Sequence, residues 1–154
     1  YMLEHCAELH KGEQYAFLGV LLAYLRSLAM IHQSHHWQTS GKEYYADHLL
    51  FQRLYDAIGL EVDSLAEKIV GSDGVVLTNY FAQMHHMKYF MENVSKSESL
   101  IAESYRAELM FVIAGEIVME YLESKGLLTR GIEQALGNIL DRHETHIYLL
   151  KQRH

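Results

Sequence analysis

Apolar and polar residues alternate along this chain with the period of a helix rather than of a strand. Leu18, Leu22, Leu25, Ala29, His32 and His36 fall three or four residues apart, which places them on one face of a helix running to Trp37. The Thr39-Ser40-Gly41 turn ends it. Phe51, Tyr55, Ile58, Val62, Leu65 and Ile69 repeat the spacing on a second helix, from about Glu43 to Val70, that stops at Gly71-Ser72-Asp73-Gly74. The aromatic and Met-rich stretch from Thr78 to Glu92 is too short for a full partner, so it predicts a short helix inside a long connection, with its Met and Tyr side chains used for packing. Ser95, Ser97 and Ser99 offer N-caps for a third long helix, whose stripe is Ile101, Tyr105, Leu109, Val112, Met119 and Leu122 and whose end is Lys125-Gly126. Thr129 is placed to cap a fourth, with Ile132, Leu136, Ile139, His143, Ile147 and Leu150 on its apolar face. Two short turns and one long crossover predict an all-α four-helix bundle with a short extra helix, the second and third long helices running parallel.

Composition agrees with long helices, because the chain has no proline and only 10 glycines in 154 residues. That length fits one domain spanning residues 1–154. The longest apolar run, Ala16 to Leu25, is broken by Gly19 and followed by Arg26, so it falls short of the roughly 20 residues a membrane span needs. A soluble protein with no membrane partner is the expectation. A first residue of Tyr suggests that the natural start lies upstream, and no secretory signal is visible. Cys6 is the single cysteine and cannot form an intrachain disulfide, which fits a cytoplasmic location. The net charge is −7 and the basic residues are scattered, so DNA binding should be weak or absent.

The 11 histidines stand out, since imidazole is a common transition-metal ligand. The second helix carries a polar line at His48, Gln52, Asp56, Gly59, Asp63 and Glu67, set apart from its apolar stripe. Asp63 and Glu67, four residues apart, share one face, and His36 and His48 flank the first turn. Imidazole and carboxylate together suit iron, zinc or manganese. An isolated Asp/Glu pair is more often a solvated face, and an isolated histidine on an apolar stripe is more often a hydrogen-bonded core residue. His32 and His143 take that second reading, and His35, His85, His86 and His146 are expected at the surface or in loops.

Taken together, His36-Trp37, the Ser-Gly turn, His48 and the run Asp63-Ser64-Leu65-Ala66-Glu67-Lys68-Ile69 resemble the ferroxidase pattern of the Dps branch of the ferritin-like superfamily. The likeness is best from Ile31 to Gly71, and His143-Glu144-Thr145-His146 resembles the family's closing segment. The resemblance implies a ferritin-like bundle that assembles into a hollow shell of twelve subunits built from two-fold dimers. It further implies a di-iron site in which His36 and His48 of one subunit face Asp63 and Glu67 of its mate, with Trp37 beside the iron. The implied activity is oxidation of Fe(II) by hydrogen peroxide or oxygen and storage of the Fe(III) mineral, which protects against oxidative damage. Gln52 departs from the pattern, where an acidic ligand is common, and leaves open a non-enzymatic, DNA-coating or structural shell with a degenerate site. Ferritins and bacterioferritins place Glu-x-x-His on two helices. This chain has Val70 three residues after Glu67 and Ile147 three after Glu144, so that ligand set is not expected in its bundle core.

Overall fold

The computed structural model describes residues 14–153, and Cys6 lies outside them. Among the described residues the helices are α1 (Ala16–Gln38), α2 (Tyr44–Asp73), α3 (Tyr80–Asn93), α4 (Leu100–Ser124) and α5 (Arg130–Arg153), with a 3-10 turn at Val76–Thr78 between α2 and α3. No strand occurs among them.

Contacts between helix ends give the topology. Phe17 at the start of α1 packs edge-on against Tyr121 at the end of α4, so those two helices are antiparallel. The α2–α5 pair is antiparallel as well, because Asp47 near the start of α2 takes a two-pronged contact from Arg153 at the end of α5, at 2.8 and 3.2 Å. With the tight α1–α2 turn, these contacts make α2 and α4 parallel. The bundle is therefore the ferritin-like arrangement with one long crossover, made here by the 3-10 turn and α3.

The caps explain where the helices begin and end. Ser99 Oγ accepts from the Ala102 amide at 3.2 Å and Thr129 Oγ1 from the Ile132 amide at 3.1 Å, each satisfying an otherwise unpaired donor. Gly41, Gly74 and Gly126 all have positive φ and mark three of the helix breaks. The second helix runs further than its sequence suggests. Gly71 and Ser72 stay helical, and the chain breaks only at Gly74, whose φ of 77° a residue with a side chain would resist.

α1 is the central helix. It is apolar enough over 18 residues to cross a membrane by length and composition, yet 72% of that window is buried within the bundle. Leu18, Leu22, Leu25 and His32 lie in the core as their spacing predicts. The face of α4 differs from its expected stripe. Its buried side is Ser104, Ala107, Glu108, Phe111, Gly115 and Val118, while Tyr105, Leu109, Val112 and Met119 are only partly covered. Small residues let α5 come close here, and a side chain at Gly115 would meet Leu140 Cδ2 at 2.5 Å. In α3 the packing is carried by Phe90, which sits 4.8 Å from Tyr24, whereas Tyr80 and Met84 point outward.

Candidate metal centre

His36 and His48 meet across the α1–α2 turn. The His36 Nδ1–H donates to the His48 carbonyl at 2.7 Å, and the His48 Nδ1–H donates to the His36 carbonyl at 2.8 Å. A carbonyl only accepts, so each Nδ1 must carry its hydrogen, and the neutral tautomer compatible with these bonds has its lone pair on Nε2. That is the tautomer and the outer hydrogen bond typical of a metal-binding imidazole. The rings stack at 3.6 Å with 18° between their planes, and Tyr44 and Tyr55 pack around them at 4.9 and 5.3 Å. Gly41, at φ 90°, makes the tight return that brings the two histidines together.

Asp63 and Glu67 are exposed on the outer face of α2. Fifteen residues of helix separate His48 from Asp63, about 22 Å along the axis, so the chain brings the two histidines together but not the two halves of the expected ligand set. Gln52, Asp56 and Gly59 lie exposed between the halves, and Leu49 and Leu60 project from the same helix into solvent. Trp37 is exposed at the end of α1.

A second group of polar side chains fills the centre of the bundle. Glu108 on α4 is completely buried. Its Oε1 accepts from His32 Nε2 at 2.8 Å and from His146 Nδ1 at 3.1 Å, and its Oε2 accepts from His143 Nδ1 at 2.6 Å. On its far side His143 donates through Nε2 to Glu61 Oε1 of α2 at 3.0 Å. Glu61 Oε2 lies 2.8 Å from Arg142 Nη1, close enough to pair in charge although off the hydrogen-bonding direction. From His32 the network continues through Ser104 Oγ, 2.9 Å from His32 Nδ1 and 2.7 Å from His35 Nδ1, and ends where His35 Nε2 faces Glu103 Oε2 at 3.3 Å.

Burial would push the His143 imidazole down, but Glu108 and Glu61 on either side hold it up, at about 9. Burial likewise opposes ionisation of Glu108, and the three histidines around it overcome this and keep the carboxyl well below its usual range. His32 and His35 are pushed down, chiefly by burial, and are neutral.

These positions confirm His32 and His143 as hydrogen-bonded core residues and His85 as exposed. They correct three others, because His35, His86 and His146 are buried rather than at the surface. The signal for His146 was its place three residues after His143, on the same face of α5 as the apolar stripe. Nothing in the periodicity of α4 marks Glu108 as buried, since its partners come from two other helices, α1 and α5. A histidine-rich set around Glu108 occupies the bundle core.

No family profile and no curated protein sequence matches this chain. Solved structures do match in fold. The chain is similar to Dps from Thermosynechococcus elongatus, with a TM-score of 0.71 and 19% identity over 88% of each chain. It is similar also to the DPS protein of Vibrio cholerae O1, described as a member of a broad superfamily of ferritin-like diiron-carboxylate proteins, with a TM-score of 0.71 and 20% identity over 90% of this chain and 86% of that one.

Proposed function

We propose that this chain, which has the ferritin-like fold of the Dps proteins, is the subunit of an iron-oxidising and iron-storing shell. The reciprocal bonding of His36 and His48 carries this reading, because it ties up Nδ1 of both stacked rings and leaves Nε2 of each as the donor to a metal. Asp63 and Glu67 supply the complementary carboxylates from a two-fold mate, whose copy of α2 lies antiparallel across the exposed polar line. The exposed Leu49 and Leu60 support such a mate, since a partner helix would remove them from water.

Fe(II) is the substrate. Two ferrous ions each give up one electron to hydrogen peroxide, whose O–O bond breaks, and the two oxygens leave as water once protons are taken up from solvent. The carboxylates favour the ferric product by charge, while the imidazoles, fixed through their Nδ1–H bonds, hold orientation. Oxygen serves as a slower oxidant, and Fe(III) passes to a mineral inside a closed assembly of twelve chains in the cytoplasm. Removing peroxide in this way limits oxidative damage.

The test is to add peroxide to anaerobic protein loaded with micromolar Fe(II) and follow ferric absorbance. The wild type should oxidise two irons per site, and His36→Ala/His48→Ala should be slower by about tenfold or more. If the wild type binds no iron and gives no ferric signal, the chain is instead a non-enzymatic shell protein, with Gln52 marking the decayed site.

A further inference from the structure

The buried polar centre has no part in that reading, and its geometry is costly for a purely structural network. Five ionisable side chains, His32, Glu61, Glu108, His143 and His146, converge from all four long helices where apolar residues of similar volume would pack at less cost. Glu108, His143 and His146 each offer a ligand atom, all within 4.8 Å of one another. His32 Nε2 points at the same Glu108 oxygen that His146 Nδ1 approaches.

Two further features point to a cation. Two of the imidazoles have their other nitrogen held by an outer oxygen, His143 by Glu61 and His32 by Ser104, as metal-bound histidines usually do. The hydrogen count is the second feature. A carboxylate only accepts, so neutral His32 must spend its single hydrogen on Glu108 through Nε2, and its Nδ1 must then accept from the Ser104 hydroxyl. Ser104 has no second hydrogen, so His35 must donate to it through Nδ1. That leaves a bare His35 Nε2 facing Glu103 Oε2, lone pair against lone pair. Three hydrogens are available for four contacts. A cation on His32 Nε2 removes the shortage, because His32 then donates through Nδ1 to Ser104, Ser104 donates to His35 Nδ1, and His35 donates through Nε2 to Glu103.

We propose that Glu108, His143 and His146, with His32 as the fourth donor, bind one divalent transition-metal ion at the centre of each bundle, separate from the interface site. Three imidazoles and one carboxylate suit a tetrahedral ion such as Zn(II) or Co(II), and four protein donors leave no open position, so the ion ties α1, α4 and α5 together rather than catalysing a reaction. The set is not a di-iron carboxylate centre, for it lacks bridging carboxylates, and Glu61 is already engaged by His143 and Arg142. A cavity of about 230 Å³ between α2 and α5, lined by Glu61, Ser64, Asn138 and Arg142, lies on the Glu61 side of this cluster.

The test uses His36→Ala/His48→Ala protein stripped with a chelator and titrated with Co(II). One Co(II) per chain should bind with the intense visible ligand-field bands of a tetrahedral site, which carboxylate-rich surface sites with octahedral geometry do not give, and the melting temperature should rise. Adding His143→Asn and His146→Asn should abolish the bands while far-ultraviolet circular dichroism stays helical. Should that variant fail to fold, X-ray absorption on its parent decides, by showing imidazole scattering from at least three rings. Absence of tetrahedral Co(II) in the parent, bands that survive the added substitutions in a folded chain, or fewer than three imidazoles would overturn the proposal. None of these outcomes depends on whether the interface site oxidises iron.

Discussion

His143 is clamped between Glu108 and Glu61, with Glu108 also facing His32 and His146 and Glu61 also facing Arg142. In the metal-free chain this clamp makes stability depend on pH. The folded-state value of about 9 lies above the ordinary 6.5, so the contribution of His143 is complete below pH 6.5 and is lost as pH rises through 9. At full strength it is on the order of 3 kcal/mol. Glu108, held below its usual range, adds stability above pH 4.5 that is lost on acidification. Denaturant unfolding of chelator-treated wild type and His143→Gln should show the gap between them narrowing from pH 6.5 to 9. A constant gap would mean that His143 is neutral in the fold.

Among the elements, α1 and the crossover are pressed together at Gly19, where an added Cβ would lie 3.2 Å from Leu77 Cβ and 3.3 Å from the Leu77 carbonyl. Because part of that obstacle is backbone, Gly19→Ala should cost about 1–3 kcal/mol despite the better helix propensity of alanine. Urea unfolding measures it, and a stabilised variant would show that the crossover yields freely. Ser99 is a milder case. Its side chain caps α4 with a single bond to Ala102, so Ser99→Ala should cost about 1 kcal/mol by the same assay.

On the scale of the whole molecule, the iron-oxidising reading requires a second copy, and the requirement can be tested by complementation. His36→Ala/His48→Ala and Asp63→Ala/Glu67→Ala should each lose about tenfold or more of the ferroxidase rate. Refolded together in equal amounts, half of the randomly formed dimers are mixed and hold one intact site each, so roughly a quarter of wild-type ferroxidase activity should return. No recovery, with mixed dimers proven by mass spectrometry, would place the ligands elsewhere. Gly59 has nothing within 4 Å of an added Cβ in the single chain, yet it lies midway along the exposed polar line of α2. Light scattering should therefore show Gly59→Ala weakening the assembly, although the substitution itself favours the helix.

Local patterning was enough to define the helices, their caps at Ser99 and Thr129, the short helix in the crossover and the nearness of His36 to His48, because each depends on residues close in sequence. The exposed face of α2 was equally legible, since Asp63 and Glu67 follow its polar line. Tertiary structure alone decided what fills the bundle centre. Periodicity favoured the bulky residues of α4, but its buried face holds Ser104 and Glu108, which can leave water only because His32, His35, His143 and His146 arrive from other helices to pair with them. A buried polar group is tolerated when its partners are in place, and one helix taken by itself carries no record of partners from the others.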